Sequence, residues 1–476
     1  MSHHIKFLNH SCFIVSSPSI NILCDPWFKG TAFGNGWSLL HDDSHDINNL
    51  NFDYIWISHE HPDHFSIPTL LELERNQTFL FQETEDKKVK KFLESKGHFV
   101  IELKHGEVTK IGDLELTCIV CDGYDSSLLV RYPDKKLLLN INDARIELND
   151  HLSNEIVPLI GDEVLDLLTF QFSYANWAGN LGDAEIPKFL QNEIDEKIEY
   201  AISKLQPKAL MPFASFVYFS HEENFHWNEN NWLDHVFEKY SVSEPTLIFP
   251  QPDQSISFNQ LASYEYTDSN DIALNFWKEK HQNLRIKDRV KSVTLSNLRD
   301  CYLQFNKKLN EKNSLLDLVD GNQNFYLTIK ISDLNTTIKV GLVDSFFCEV
   351  NDRASVSVSS ETAKLLFTQL FARGTITING RIEFDYDTAH MFFLFFFIPY
   401  ANNVGIYFSP PQKLTKSMLR SITKTSVMMA IDHVSKGKNT DVEHDISALF
   451  DIFDNAKITN TDLEVFNYEP QNEQLN

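Results

Sequence analysis

Four side chains of metal-ligand type lie within six consecutive residues of the chain. His59, His61, Asp63 and His64 belong to the segment HEHPDH. Imidazole and carboxylate groups are the usual protein ligands of borderline divalent metals. His59 and His61 can turn towards one ion, and Asp63 with His64 towards a neighbouring ion. Because two metals about 3.5–4 Å apart can polarise one oxygen atom between them, the spacing predicts a two-metal catalytic site.

The elements that must position this segment support the interpretation. An apolar strand is predicted at 53–58, directly before the segment, and a helix opening at Ser66 and Pro68 directly after it. An ordinary polar surface loop that happens to contain three histidines would not need such flanks. Further strands and an amphipathic helix at 188–205 alternate along the first half of the chain, which is typical of a layered α/β sandwich.

The pattern changes in the second half of the chain. Beyond residue 280 the segments FYLTIKISD, TIKVGLVD, FFCEV and TITINGRIEF are β-rich, with helices predicted at 361–373 and 412–436. We therefore predict a catalytic domain at 1–265 and a smaller α+β domain of unknown role at 280–476. The apolar run 391–400 is predicted to be a buried strand or a partner-facing patch, since a membrane span needs about 20 residues.

Composition and net charge limit the classes of molecule that the protein is expected to bind. The formal net charge is −25, which disfavours binding to nucleic acid or to an anionic membrane. Six cysteines in so long a chain do not form a disulfide framework, and Cys118 and Cys121 are predicted to be buried strand thiols. The first residues do not have the pattern of a signal peptide. We expect a cytoplasmic protein that acts on a small molecule.

The HxHxDH motif resembles the metallo-β-lactamase superfamily. The successive segments CDPWFKGTAFGNGWSLLH, YIWISHEHPDHFSIPTLLEL, NINDA and LQPKALMPFASFVYFSH resemble the CMP-N-acetylneuraminate hydroxylase family, a branch of that superfamily. The resemblance covers most of residues 5–230 and is fainter over 281–400. It implies that residues 1–265 form a metallo-β-lactamase αββα sandwich, followed by the α+β C-terminal domain.

The resemblance also points to a difference in electron supply. The hydroxylase family joins its metal-binding domain to a Rieske iron–sulfur module, which needs Cys-x-His and Cys-x-x-His pairs. Neither pair occurs in these 476 residues. A Rieske centre within this sequence is therefore excluded, and an oxygenase of this kind would need a separate electron donor.

Further metal ligands are implied by the resemblance. Asp143, which ends the predicted strand 136–142, stands where the superfamily has a metal-bridging carboxylate. His221 resembles the last histidine ligand, and His226, five residues later, is the alternative. The resemblance thus assigns catalytic roles to the four ligands of the HEHPDH segment and to Asp143.

One ligand position departs from the pattern of many hydrolases in the superfamily. These hydrolases carry another histidine ahead of the bridging aspartate, whereas the segment CIVCDGYDSS offers Asp122 or Asp125. A carboxylate in place of an imidazole favours iron or manganese over zinc. The alternative is that Asp122 with Gly123 forms only a turn. Asp25 and His10 are predicted to support the ligands without binding a metal themselves.

These observations lead to three hypotheses. The first is a di-iron oxygenase that hydroxylates or oxidises a small-molecule or nucleotide-linked substrate. The second is a binuclear zinc or manganese hydrolase of an ester, amide or phosphoester, in which a bridging hydroxide attacks the substrate. The third is a non-catalytic scaffold that binds through its C-terminal domain. The first two require two divalent metal ions, with iron favoured and zinc or manganese as alternatives.

Overall fold

The computed structural model describes residues 3–42, 45–121, 125–174, 176–229, 232–241, 244–263, 266–313, 325–403, 406–409, 427, 430–431, 433 and 457–460. The N-terminal part is rich in short strands. In chain order they are β1 (His4–Asn9), β2 (Cys12–Ser16), β3 (Asn21–Cys24), β4 (Trp37–Leu39), β5 (Tyr54–Ile57), β6 (Thr78–Gln82), β7 (Phe99–Leu103), β8 (Val108–Ile111), β9 (Leu114–Cys121), β10 (Asp125–Arg131), β11 (Leu137–Asn142), β12 (Leu167–Gln171), β13 (Ala209–Phe213), β14 (Val217–Phe219), β15 (Thr246–Leu247) and β16 (Ser255–Ser257).

These strands form two seven-stranded sheets. The first has the order β16-β1-β2-β3-β5-β6-β7 and the second the order β15-β13-β12-β11-β10-β9-β8. Strands β3, β5, β6 and β7 run parallel in the first sheet, as do β11, β12, β13 and β15 in the second. Strands β4 and β14 pair with each other as a separate antiparallel ribbon.

Helices cover the outer faces of both sheets. They are α1 (Ile67–Leu70), α2 (Lys88–Ser95), α3 (Val157–Ile160), α4 (Glu185–Leu205), α5 (Trp232–Tyr240) and α6 (Tyr266–Gln282). Leu70 and Leu93 pack on the outer side of the first sheet, whereas Ile198, Val236 and Trp277 join the core of the second. The order helix–sheet–sheet–helix confirms the predicted αββα sandwich.

Alternation along single strands produces this layering. On β2, Phe13 and Val15 belong to the core shared with the second sheet, while Cys12 and Ile14 face the core beneath α1 and α2. Successive side chains of a strand point to opposite faces, so a strand covered on both faces is apolar throughout. All five residues of β2 are buried, as that rule requires.

The C-terminal part contains a five-stranded sheet of order β19-β18-β17-β20-β21. Its strands are β17 (Tyr326–Ile331), β18 (Thr336–Gly341), β19 (Phe347–Glu349), β20 (Val356–Val358) and β21 (Glu383–Phe384), with β22 (Ile406–Ser409) and β23 (Lys457–Asn460) paired separately. Its helices are α7 (Leu295–Asn313), α8 (Ser360–Leu366), α9 (Ala372–Asn379), α10 (His390–Phe395) and α11 (Phe397–Asn403). An α+β unit is what the sequence predicts here.

Two predicted elements of this part are wrong. The run 391–400 forms α10 and α11 instead of a strand, and the first half of TITINGRIEF belongs to α9, while its last two residues form β21. Phe392 to Ile398 are all buried, so the run has no polar face whose period could separate helix from strand. The predicted helix 412–436 lies almost entirely outside the described residues.

The structure also bears on the predicted start of helix α1 and on the predicted boundary between the two domains. Helix α1 is a single turn that begins as predicted, with Ser66 at the N-cap position and Pro68 in the first turn. The Ser66 side chain makes no capping hydrogen bond, because its hydroxyl donates to the carbonyl of Lys29 over 3.3 Å. Helix α6 crosses the predicted boundary at 265–280 and packs its Ala273 and Trp277 into the N-terminal core. The domain limits therefore stay predictions. None of the described helices has the length and apolar character needed to cross a membrane.

Candidate metal centre

The HEHPDH segment leaves β5 as a tight loop. The amide groups of His64 and Phe65 both donate to the carbonyl of His61, over 3.0 and 2.7 Å. This turn brings the three imidazoles together. The ring centroid of His59 lies 4.6 Å from that of His61 and 4.3 Å from that of His64. His59 and His64 are buried, whereas His61 is partly exposed. The predicted clustering of these side chains is therefore present in the fold.

A first group of ligand atoms comes from His59, His61 and Asp125. His59 Nε2 lies 2.8 Å from His61 Nδ1 and 3.8 Å from Asp125 Oδ1. One nitrogen or oxygen atom of each residue lies within 4.8 Å of the others, close enough for a single ion to bind all three. Asp125 opens β10 in the second sheet, so this group joins the two sheets. Asp122 lies outside the described residues.

A second group lies next to the first and contains Asp63, His64 and His10. Asp63 Oδ2 is 3.4 Å from His64 Nε2 and 3.3 Å from His10 Nε2. His10 follows β1 at the turn into β2 and is fully buried. The sequence predicts only a supporting role for His10, but its ring nitrogen lies as near to Asp63 as that of His64 does. The geometry therefore makes His10 a candidate ligand.

Asp143 lies between the two groups. Its Oδ2 is 3.5 Å from His59 Nε2 and 3.7 Å from His64 Nε2. It directly follows Asn142, the last residue of β11, where Asn142 itself takes the left-handed backbone conformation at φ 61°. A carboxylate in this place can contact an ion on either side, which is the arrangement of a metal-bridging ligand.

The donor set fits a pair of cations. Asp63 Oδ1 and Asp143 Oδ1 are buried and have no hydrogen-bond partner among the described residues. Within that part of the chain, no Lys or Arg pairs with Asp63, Asp125 or Asp143; their ion-pair partners are histidines. Buried carboxylates without a permanent counter-charge are costly, and metal ions would supply that charge.

The electrostatics of the centre point the same way. Burial by itself raises the pKa of Asp63, but the charge of His64 and hydrogen bonds from His10 and His64 take that pKa well below its usual value. Burial lowers the pKa of His64, yet Asp63, Asp143 and Asp25 together raise it well above 6.5. Burial, followed by repulsion from Asp143, raises the pKa of Asp125. A cation bound to these ligands would displace the proton of His64 and favour ionised Asp125.

Asp25 holds the centre from behind. One carboxylate oxygen accepts hydrogen bonds from the amide of Ser58, and the other from the hydroxyl of Ser58 and from Asn142 Nδ2, at 2.7, 2.7 and 2.9 Å. The same Oδ2 lies 3.0 Å from His64 Nδ1, so Nε2 of His64 points towards Asp63. Fixing one ring nitrogen in this way orients the other for a metal. Asp25 thus occupies the supporting position that the sequence predicts.

Ser58, Asn142 and Ser126 support the centre without having been predicted to do so. The hydroxyl of Ser58 lies 2.9 Å from His59 Nδ1, and Ser126 donates to the carbonyl of Ser58 over 2.6 Å. Each adjoins a predicted ligand in the sequence, and each is buried. Small polar residues next to ligands at strand ends are the only sequence feature that could have indicated them.

The structure corrects the predicted placement of the last histidine ligand. Neither His221 nor His226 joins the ligand groups formed by the described residues. His221 is fully buried, with Nδ1 3.5 Å from Glu223 Oε2 and Nε2 3.7 Å from Glu361 Oε2 of the C-terminal part. His226 lies beside Trp227, with ring centroids 4.3 Å apart. Asn224 donates to the carbonyl of Asn379 over 2.6 Å, so the segment between His221 and His226 packs against the C-terminal part.

Comparisons with known proteins agree with this fold. Residues 4–123 match the family model described as the β-lactamase superfamily domain. The cytidine monophosphate-N-acetylneuraminic acid hydroxylase of Danio rerio is 25% identical over 241 residues, covering 48% of this chain and 40% of that protein. The inactive counterpart from Homo sapiens is 28% identical over 244 residues, covering 48% of each. The predicted resemblance to the superfamily and to this branch is confirmed.

The extent of these matches is limited. The matched segment spans less than half the length of these curated relatives. Among solved structures, CmlA, a diiron β-hydroxylase from Streptomyces venezuelae, is similar with a TM-score of 0.38 and 14% identity over 54% of each chain. Residues 4–123 thus match the model of the superfamily domain, and the activity of the chain has to be argued from the centre itself.

Proposed function

We propose that this chain is a dinuclear metalloenzyme that uses two iron ions and dioxygen to hydroxylate or otherwise oxidise a small-molecule substrate. The observation that carries the proposal is the position of Asp125, which stands as a carboxylate beside His59 and His61. With Asp63 and Asp143, it makes three carboxylates for four imidazoles. A carboxylate in place of an imidazole shifts the preference of the site towards iron or manganese and away from zinc.

The relatives support the choice of reaction. The curated proteins that match this chain are hydroxylases, one of them described as inactive. When bound, a pair of iron ions would supply the redox chemistry that activates dioxygen. The sequence contains no Rieske ligand pairs. We therefore extend the proposal to a separate electron donor, either a small reductant or another protein.

The protein's own residues would prepare the centre for this chemistry. Asp25 and Ser58 orient His59 and His64, so that their Nε2 atoms converge on Asp143. His59, Asp63 and His64 are buried, which keeps bulk water away from the inner side of the centre. His61, Asp125 and Asp143 are partly exposed, so substrate would approach from their side.

The test is elemental analysis of protein purified without chelators, combined with an anomalous-scattering map and dioxygen uptake. We expect iron at two positions near Asp143 and reductant-dependent consumption of dioxygen. The matched variant is Asp125→His, which supplies the imidazole of the hydrolase pattern and should raise the ratio of zinc to iron about tenfold or more. Zinc in the unaltered protein together with turnover of a generic phosphoester would replace this proposal with the hydrolase.

A further inference from the structure

The loop between β3 and β4 forms a wall beside the candidate metal centre. We define the Phe33 loop as residues 31–37. The rings of Phe33 and His61 lie 5.7 Å apart, edge to face, and the rings of Phe33 and Trp37 lie 4.8 Å apart. Paired hydrogen bonds between Ala32 and Trp37, of 3.0 and 3.1 Å, close the loop. Because His61 lies on the partly exposed side of the centre, the position of Phe33 affects access to it.

The Phe33 loop does not have a relaxed backbone. Phe33, Gly34 and Asn35 have φ values of 50°, 60° and 63°, three successive residues in the left-handed region. Only glycine adopts this region without a steric penalty, and Phe is among the residues least suited to it. A loop in such a conformation persists only when surrounding contacts hold it.

The contacts that hold it come from the C-terminal part of the chain. Asn379 Nδ2 donates to the carbonyl of Phe33 over 2.8 Å, and Arg381 Nη1 donates to the carbonyl of Gly34 over 2.9 Å. An ideal Cβ on Gly36 would lie 2.3 Å from Asn379 Cβ, so the two backbones approach as closely as a glycine permits. The carbonyls of Phe33 and Gly34 thus each have a donor from the end of α9 or from the residues just after it.

The two donors are themselves rigidly held. Arg381 Nε and Nη2 donate to Glu223 and Glu361 over 2.7 and 3.0 Å, and the Arg381 amide donates to Asn379 Oδ1 over 2.9 Å. Asn224 Nδ2 donates to the carbonyls of both Gly36 and Asn379, over 3.0 and 2.6 Å. Asn379 is fully buried and Arg381 is 5% exposed. Their hydrogen bonds therefore have fixed geometry instead of fluctuating in solvent.

We propose that Asn379 and Arg381 are positioning residues that fix the Phe33 loop against His61 and so restrict the access of small molecules to the metal centre. This gives the C-terminal part a defined role: it completes the wall of a site whose ligands all come from the N-terminal part. The inference rests on the proposed function in so far as it takes the centre to bind metal. It adds the group that controls access to that metal.

The main variant is Gly36→Ala, which pushes the loop away from Asn379 without placing alanine in a left-handed conformation. Loss of the two donated hydrogen bonds should raise the population of the open loop about tenfold. Removal of ferrous iron by bipyridine should accelerate by a similar factor. Hydrogen exchange at the amides of Ala32 and Trp37, whose bonds close the loop, should accelerate in parallel.

Two controls separate this role from general destabilisation. Gly374→Ala makes the same substitution within α9, where a new Cβ meets nothing within 4 Å, and should leave both rates unchanged. Leu327→Ala removes a buried side chain of the C-terminal sheet without touching the loop. It should lower the melting temperature while leaving iron removal and exchange in the Phe33 loop close to the unaltered protein.

The outcomes distinguish this inference from the proposed function. Faster iron removal and faster exchange in Gly36→Ala, but in neither control, would support it. Equal rates in Gly36→Ala and the unaltered protein would overturn it and leave the metal centre standing. If the purified protein holds no metal, the proposed function fails. Exchange at Ala32 and Trp37 then decides alone whether the C-terminal part holds the loop.

Discussion

Two clusters of histidine and carboxylate side chains lie beside the Phe33 loop, and they differ in their source of positive charge. The loop contacts His61 at the first cluster and Arg381 at the second. The first contains His59, His64, Asp63 and Asp143, and histidines are the ion-pair partners of its carboxylates within the described chain. The second surrounds His221 and has its own permanent cation.

In the second cluster, Arg381 donates to both Glu223 and Glu361, while His221 lies 3.5 and 3.7 Å from the same two carboxylates. Both carboxylates of this cluster therefore share a permanent cation supplied by the protein. In the first cluster two buried carboxylate oxygens have no donor among the described residues. Similar residue types thus build an ion-pair network where a guanidinium is present and a candidate metal site where it is not.

The largest expected effect is on metal binding, when a histidine of each cluster is replaced by alanine and the two variants are compared. His59→Ala should weaken metal binding by more than about 100-fold, because changes beyond the ligands already cost 10–100-fold. His221→Ala should leave the metal content unchanged, since its imidazole faces Glu223 and Glu361. Metal content measured after purification under identical conditions checks both. Loss of metal in His221→Ala would erase the distinction between the two clusters.

The next largest effect is a loss of stability when the guanidinium of Arg381 is removed from the second cluster. Arg381→Met leaves Glu223 and Glu361, whose side chains are 17% and 24% exposed, without their guanidinium partner. It should lower the free energy of unfolding by up to about 3–5 kcal/mol, the loss expected for a fully buried pair. The matched control is Arg353→Met, because Arg353 also pairs with two carboxylates, Asp385 and Asp387, but is 67% exposed. An ion pair at the surface contributes little to stability, because solvent screens its charges. Denaturant titration of both variants measures the difference, and similar losses would contradict the assigned burial.

The smallest effect is a pH dependence at the same network. Burial raises the pKa of Glu361, but interaction with His221 and the charge of Arg381 outweigh it and lower the pKa from 4.5 to about 2. A depressed carboxyl pKa stabilises the fold above the unfolded value of 4.5, and this contribution is lost as the pH falls towards 2. Glu361→Gln should therefore cost about 1–2 kcal/mol at pH 7.

The corresponding measurement is the free energy of unfolding of both proteins between pH 7 and pH 3. The difference between the unaltered protein and Glu361→Gln should shrink steadily below pH 4.5, because protonated Glu361 no longer carries the charge that Arg381 stabilises. A difference that stays constant over this range would show that the charge of Glu361 contributes nothing to stability.

Sequence reasoning reached a layered α/β sandwich and the dense segment of candidate ligands because both are encoded locally, whereas the αββα order was implied by the family resemblance. Apolar runs of strand length alternate with an amphipathic helix, and His59, His61, Asp63 and His64 are so near in the chain that one tight loop brings them together. Asp25 and Asp143 follow strands, where sheet proteins collect functional groups. The structure places all six around one centre, and their roles as ligands or supports stay predictions.

The local sequence pattern did not predict the structure of segments whose conformation or position depends on residues distant in the chain. Phe392 to Ile398 is apolar on every side, so only packing against the C-terminal sheet decided that it is helical. The sequence around His10 does not distinguish it from His221, because each histidine follows a strand and has polar neighbours. Tertiary contacts alone placed His10 beside Asp63 and His221 beside Glu361.

The sequence by itself determined the layered arrangement of strands and helices and the clustering of the HEHPDH side chains as candidate ligands, because these depend on the period of apolar residues and on near neighbours in the chain. The tertiary structure decided which histidine cluster has a protein cation, since Glu223 and Arg381 are 158 positions apart. It also decided that the C-terminal part holds the Phe33 loop. Both follow from the same cause: charge balance and backbone closure are settled by residues that meet only after the chain has folded.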